Sequence, residues 1–178
     1  MSMLLVLFFT TAWPKNMTVG MAGFSLESSK AVNVAWHDNT SGYFAHKGWD
    51  CDGSHRSIRL TKDRRLLSGM GFDMKRFGRK GDAYQEVLEH PFRISTSHGI
   101  RIGMSQAGVT SKLGKPLKSL KTNEFTSIMY KKIVPGKVLR NMYIFKAGKL
   151  IEISLQLDSI PGCGEDSLSD EGWPWTIF

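Results

Sequence analysis

Hydrophobic and polar residues alternate most regularly in the last third of the chain, where the pattern predicts three consecutive strands. The first runs from Glu124 to Ile133, the second from Val138 to Phe145 and the third from Leu150 to Leu157. An alternation of period two fits a strand, because successive side chains of an extended chain point to opposite faces. A turn at Pro135 and Gly136 and a tight hairpin before the third strand join them. We therefore expect an antiparallel sheet.

The third strand has the clearest division into two faces. Its apolar face is expected to hold Ile151, Ile153, Leu155 and Leu157. Its polar face is expected to hold Glu152, Ser154 and Gln156. Antiparallel sheets commonly cover one face and leave the other in water, so we expect the polar residues to be exposed and to serve as a binding surface.

A short helix with clear ends is predicted immediately before these strands. Ser105 is a favourable N-cap residue, and Val109 and Leu113 lie four positions apart on one helix face. Gly114 suits a left-handed residue after the helix, and Pro116 prevents its continuation. We expect this helix to cover the apolar face of the sheet.

The N-terminal half carries weaker signals. Ala31 to Trp36 and Ser57 to Thr61 alternate as strands do, and His37 to Gly42 reads as a turn. Ala83 to His90 spaces its apolar residues like one face of a helix, although a strand fits the same residues nearly as well. Residues 43–53 show no clear period.

Together these elements predict an α+β fold, in which an antiparallel sheet carries short helices on one face in two layers. At 178 residues the chain has the length of one ordinary domain. It divides into an apolar N-terminal segment, a β-rich part, a unit of one helix and three strands, and an acidic aromatic tail. These parts are residues 1–22, 23–98, 99–160 and 161–178.

An apolar run at the N-terminus has two interpretations. Met3 to Phe9 has the length of the hydrophobic region of a secretory signal, and residues 10–12 or 20–22 would supply small residues for cleavage. No lysine or arginine precedes the run, so it also fits a buried strand. Export would place the protein in the periplasm or outside the cell, and no lipobox cysteine follows the run to support a lipid anchor.

Two cysteines, Cys51 and Cys163, form a candidate disulfide. In an exported protein, an even number of cysteines favours a bridge, whereas in a reducing compartment such residues are most often small buried side chains. Two cysteines define no spacing pattern that decides between these alternatives.

Charge is distributed unevenly along the chain. Between Lys112 and Lys149 there are ten Lys or Arg residues against the single acidic residue Glu124, and after Lys149 all charged residues are acidic. An acidic tail lying across a basic surface would explain this without a ligand. The functional alternative is a basic face for an anionic lipid or glycan. Nucleic acid is not expected, because the basic stretches lack the interleaved aromatic residues of a recognition module.

The helix and the last hairpin carry a family pattern. Its residues are Gly103-Met104-Ser105, Val109, Leu113-Gly114-Lys115-Pro116 and Phe145-Lys146-Ala147-Gly148-Lys149-Leu150. Over residues 99 to 157 this order resembles the SmpA/OmlA-like outer-membrane lipoproteins and the wider β-lactamase-inhibitor-protein-like fold. The resemblance implies two short helices on an antiparallel sheet, in an envelope or secreted protein that works by binding other proteins.

A group of histidine, aspartate and cysteine residues is the alternative candidate for chemistry. Its members are His37, Asp38, His46, Asp50, Cys51, Asp52 and His55. Their spacing matches no zinc-binding pattern, and the chain contains no nucleophile elbow, phosphate-binding loop or dinucleotide fingerprint. We therefore expect no metal, no cofactor and no catalysis, with a metal-binding or hydrolytic protein as the alternative.

The function expected from the sequence is that of a protein-binding or envelope-assembly module in an exported bacterial protein. Its partner would be another envelope protein, bound through the polar face of the third strand and through Trp173 and Trp175 of the tail. Large aromatic residues are favoured anchors at interfaces, although they would equally serve to fix the chain end on the domain. A basic protein that binds anionic lipid or glycan is the further alternative.

The signal interpretation predicts the N-terminus of the mature protein. If export removes the apolar run, protein recovered from the envelope will lack Met1 and Met3, because cleavage follows small residues within the usual signal length. Intact-mass spectrometry measures this directly. Mature protein that retains Met1 would contradict the prediction and favour the buried strand.

Overall fold

Extended chain dominates the computed structural model, which describes residues 17–28, 33–50, 54–65, 85–89 and 94–160. Its strands are β1 (Gly20–Met21), β2 (Phe24–Ser25), β3 (Asn33–Asp38), β4 (Tyr43–Asp50), β5 (His55–Thr61), β6 (Gln85–Glu89), β7 (Lys118–Lys121), β8 (Phe125–Val134), β9 (Lys137–Lys146) and β10 (Lys149–Ser159). A helix, α1 (Gln106–Leu113), precedes β7. Strands account for 58% of the structure and helix for 9%. The expected α+β fold, with short helices layered on a sheet, is therefore wrong, and the fold is mainly β.

Pairing between distant segments explains why, in the described residues, a strand forms where a second helix was expected. Gln85–Glu89, within the segment expected as a helix, forms a strand that pairs in parallel with β3. Apolar spacing over so short a segment fits either element, and the neighbouring strand decides between them. Two further strands, β4 and β7, form where the sequence shows no clear period.

Eight strands form one sheet in the order β6-β3-β4-β5-β10-β9-β8-β7, while β1 and β2 pair separately. All neighbours in the large sheet are antiparallel except β3 and β6. The order contains two meanders, β3-β4-β5 and β7-β8-β9-β10. They meet where β5 pairs with β10, with Leu60 opposite Ile153 and Ile58 opposite Leu155.

Tight turns fix the register of the second meander. Between β8 and β9, Gly136 has a φ of +70°. Between β9 and β10, Ala147 and Gly148 have φ values of +48° and +72°. Two consecutive residues with positive φ give a turn whose twist matches that of the flanking strands. The three strands predicted in this region, and the hairpins between them, are thus confirmed.

One face of the large sheet forms the main core. Its fully buried side chains include Ile58, Leu60, Ile128, Leu139, Tyr143, Ile153 and Leu155. Val109 and Leu113 of α1 belong to the same cluster, so the helix covers this face as expected. Ser105 caps the helix, as predicted, by accepting a hydrogen bond from the backbone N–H of Gly108 at 3.1 Å.

The apolar residues of β10 do not all share one face. The register between β10 and β9 shifts between Leu150 and Glu152, which marks a β-bulge. Ile151 consequently packs against a small cluster on the opposite face of the sheet. This small cluster consists of Met129, Met142 and Ile144, with Phe125 at its margin. The expected alternation therefore holds from Ile153 to Leu157 and fails at Ile151.

Buried hydrogen bonds tie the segment 17–28 to the middle of the sheet. The backbone N–H of Thr18 donates to Oδ1 of Asn141 at 2.9 Å, and Nδ2 of Asn141 donates to the carbonyl of Thr18 at 2.8 Å. Met17 and Met21 belong to the main core. Residues 17–22 are thus part of the fold, and of the two candidate cleavage signals only the one at residues 10–12 would leave these contacts intact.

Replacing Asn141 tests how strongly the segment 17–28 is held. Asn141 is 0% exposed, so Asn141→Ala leaves the N–H and carbonyl of Thr18 buried without these partners. We expect a loss of roughly 2–4 kcal/mol in the free energy of unfolding, measured in urea. Asn123→Ala, at an exposed position, is the matched control. A loss no larger than that of the control would show that the tether contributes little.

Candidate functional site

Polar side chains from four strands line the face of the sheet opposite the main core. They are His46 on β4; His55, Ser57, Arg59 and Thr61 on β5; Arg140 on β9; and Glu152, Ser154, Gln156 and Asp158 on β10. The register places His46, Arg59 and Ser154 side by side across three strands. Because side chains alternate between faces, residues two positions apart on each strand join the same surface. We call this surface the polar face.

Glu152 is held by two neighbours on β5. Its Oε1 lies 3.4 Å from Nε of Arg59, and the hydroxyl of Thr61 donates to its Oε2 at 3.2 Å. Only 13% of the Glu152 side chain is exposed. Burial raises the pKa of Glu152, whereas Arg59 and Thr61 oppose that shift because they stabilise the carboxylate. Glu152 therefore links β10 to β5 across the junction of the two meanders.

The carboxylate of Asp158 contacts side chains on three strands. Its Oδ1 lies 2.7 Å from Nδ1 of His55, and Nε2 of Gln156 donates to its two oxygens at 3.0 and 2.8 Å. The guanidinium of Arg140 donates to Oδ2 of the same carboxylate. Arg140 is 2% exposed, and a charge buried to that extent requires an opposite charge beside it. Asp158 supplies that charge and joins β5, β9 and β10.

Gly48 makes room for a buried histidine. A Cβ atom at position 48 would lie 2.7 Å from Oγ of Ser57 and 2.9 Å from Cε1 of His46, closer than such atoms normally approach. Burial, reinforced by the positive charge of Arg59, lowers the pKa of His46 to about 3. The imidazole is therefore neutral near pH 7.

The sequence led us to expect that Glu152, Ser154 and Gln156 are exposed. This expectation is wrong, because the polar face on which they lie is largely buried. Ser154 is only 6% exposed, and Gln156 is half-buried against Asp158. β10 lies between β5 and β9, so its polar side chains are bordered by those of both neighbours. An alternating sequence shows that the two faces of a strand differ, but it does not show that either is in water.

Several candidates from the sequence lie outside the described residues. They are Cys51, Asp52, Cys163, Trp173 and Trp175. The histidines between 37 and 55 have separate surroundings: His37 stacks on Phe44 with ring centroids 4.5 Å apart, whereas His55 contacts Asp158. Among the residues that the structure describes, no group of three or more His, Cys, Asp or Glu is placed to hold a metal ion.

An exposed surface that the sequence analysis did not single out lies at the β7 end of the sheet. All four residues of β7, Lys118–Lys121, are exposed. Leu117 and Leu120 are 57% and 39% exposed, and Lys115 and Lys132 are also exposed. We call residues 115–121 and Lys132 the basic edge. Its lysines are visible in the sequence as charge, but a four-residue strand has too short a pattern to predict.

No protein-family model, curated protein or solved structure matches this chain. Within the described ranges, no helix combines the length and apolar character needed to cross a bilayer. Function must therefore be inferred from the chemistry of the polar face and the basic edge.

The low pKa of His46 predicts a pH-dependent stability. The unfolded chain takes up a proton at His46 near pH 6.5, whereas the folded protein does so only at about pH 3. The free energy of unfolding should therefore fall as pH drops below 6.5, by at most about 1.4 kcal/mol per pH unit from this residue.

His46→Gln removes this contribution, so its stability should depend less steeply on pH than that of the wild type. Urea unfolding of both proteins between pH 4 and 7 measures the difference. Glu152, whose raised pKa acts in the opposite direction, is present in both proteins and cancels from the comparison. Equal slopes would contradict the prediction, because they would show that folding does not lower the pKa of His46.

Proposed function

We propose that this protein is a non-catalytic binding module that engages an anionic partner protein at its basic edge. The observation that carries this proposal is the exposure of every residue of β7, together with two exposed leucines among lysines. In contrast, only two of the ten residues of the neighbouring strand β8 are exposed, and buried positions dominate β9 and β10. Exposed apolar residues surrounded by charge are typical of contact surfaces.

Charge supports an anionic partner. Between Lys112 and Lys149 the chain has ten basic residues and one acidic residue, Glu124. Glu124 lies beside Lys146, at 3.9 Å, and both side chains are largely exposed. The excess positive charge of this region attracts acidic partners and repels basic ones, which affects association rates and specificity more than affinity.

The polar face favours a structural role over catalysis. A catalytic acid or base must reach a substrate, yet the side chains of Glu152 and Asp158 are 13% and 10% exposed and are engaged by Arg59 and Arg140. Their carboxylates link neighbouring strands. The polar face is thus better suited to holding the sheet than to transforming a ligand.

The proposed cellular location and class of partner are inferred from the sequence. The apolar N-terminal run and the resemblance to envelope proteins support a periplasmic or secreted protein whose partner is another envelope protein. Trp173 and Trp175 are additional candidate anchors, as proposed from composition. The exposed lysines also suit anionic lipid or glycan, which is the second candidate function.

Removing charge from the basic edge tests the proposal. Lys115→Gln/Lys121→Gln should weaken binding to poly-L-glutamate by roughly threefold or more at low salt, since each exposed ion pair contributes up to about 1 kcal/mol. Binding should also weaken as salt is added, because salt screens exposed charges. Fluorescence anisotropy of labelled poly-L-glutamate measures both effects.

Lys62→Gln/Arg64→Gln is the matched control, because it removes two exposed charges next to β5. Heparin and phosphatidylglycerol vesicles serve as the comparison ligands. Binding to either of these without binding to poly-L-glutamate would favour the glycan or lipid function. Equal effects of the two double variants would contradict a role for the basic edge.

A further inference from the structure

β7 is an edge strand with hydrogen-bonding groups directed away from the sheet. Within the described residues it pairs only with β8, with Lys118 opposite Met129 and Leu120 opposite Ser127. One residue beyond the strand, the backbone N–H of Thr122 donates to the carbonyl of Phe125 at 2.8 Å. Successive residues of an antiparallel strand direct these groups to alternate sides.

Counting back from Thr122, the backbone groups of Leu120 and Lys118 face β8. Those of Ser119 and Lys121 face outward. The outer side of β7 therefore offers two N–H donors and two carbonyl acceptors in the spacing of a further antiparallel strand. All four residues are exposed, so this side of the strand is open to another chain.

The side chains of β7 suit an amphipathic occupant. Leu120 is on the same face of the sheet as Phe125 and the small cluster of Met129, Met142 and Ile144. A strand added beside β7 would place alternate side chains next to Leu120 and extend this apolar surface by one strand. Leu117, 57% exposed, lies immediately before β7 and offers a second apolar contact.

The lysines on and beside β7 determine which kind of strand can pair with it. Lysines on an edge discourage pairing between copies of the same chain, because two β7 strands would bring like charges together. An acidic strand would instead place opposite charges across from Lys121 and near Lys115. Such cross-strand pairs of opposite charge stabilise the added strand, and the penalty against like charge adds specificity.

We propose that β7 binds an extended acidic segment of a partner protein by strand addition, with apolar residues alternating with glutamate or aspartate. This proposal rests on the proposed function, because it specifies how the basic edge holds its partner. Main-chain hydrogen bonds supply affinity in such complexes, and alternate side chains supply specificity.

Ser119→Pro tests the mode of binding. Proline removes the outward N–H of Ser119, whereas edge strands tolerate proline where the lost N–H faces solvent. Ser119→Ala is the matched control and keeps the N–H. The probe is a fluorescein-labelled peptide of alternating glutamate and valine. We expect Ser119→Pro to weaken its binding about tenfold or more, equivalent to about 1.4 kcal/mol, and Ser119→Ala to leave it unchanged.

Hydrogen exchange provides a second measurement that needs no variant. On addition of the peptide to the wild-type protein, the amides of Ser119 and Lys121 should exchange more slowly. The amide of Thr122, already bonded to Phe125, is the internal reference. A peptide of the same charge with proline at every third position should bind more weakly and give no protection at Ser119 and Lys121, because it cannot form the ladder. Unchanged exchange at Ser119 and Lys121 with the alternating peptide bound would overturn strand addition, even if Ser119→Pro does not fold.

The remaining outcomes separate the two proposals. If Ser119→Pro binds the peptide as well as Ser119→Ala does, while Lys115→Gln/Lys121→Gln binds weakly, the basic edge is the binding surface and strand addition is overturned. If none of these variants changes binding, both proposals are overturned. Association of two copies through β7, detected as a dimer that Ser119→Pro abolishes, would also overturn the acidic occupant.

Discussion

The junction between β5 and β10 is the constraint on which the rest of the sheet depends. It pairs residues 93 positions apart, Leu60 with Ile153, and no turn brings them together. On the main-core face, aliphatic side chains from both strands are fully buried. On the polar face, Arg59 and Thr61 hold Glu152, and His55 holds Asp158, across the same two strands. Such long-range pairing slows folding, because loop closure must precede the contacts that stabilise it.

Local sequence patterns predicted those helices and strands that are determined by interactions between residues close together in the chain. The capped helix and the strands β8 to β10 depend on turn residues and on alternation within a few positions, and both were correctly placed. β4 was not, because it is buried on both faces: Phe44 and His46 point to one side, Tyr43 and Ala45 to the other. A strand without a solvent-facing side has no polar period to recognise. The α+β prediction failed for the related reason that strand partners distant in sequence leave no local mark.

The candidate site was predicted in part. Glu152, Ser154 and Gln156 do share one face, as their spacing required, but they lie among the charges of β5 and β9 rather than in water. Whether a polar row is exposed depends on which strands flank it, and that depends on the β5–β10 junction. The lysines of the basic edge, by contrast, are visible in the composition, yet their position on the outermost strand of the sheet, as far as the structure describes it, follows only from the strand order.

The bulge at Ile151 bears on how this chain tolerates changes in length. Side chains alternate with period two, so loss of one residue within a regular ladder exchanges the two faces for the remainder of the strand. Deleting Leu155 would bring Gln156 toward the main core. Deleting Ile151 would instead remove the extra residue and leave an uninterrupted ladder between Phe145 and Ile153. Natural deletions in β10 should therefore concentrate at this single position. A deletion there removes one side chain from the small cluster and leaves the residues of the polar face in place.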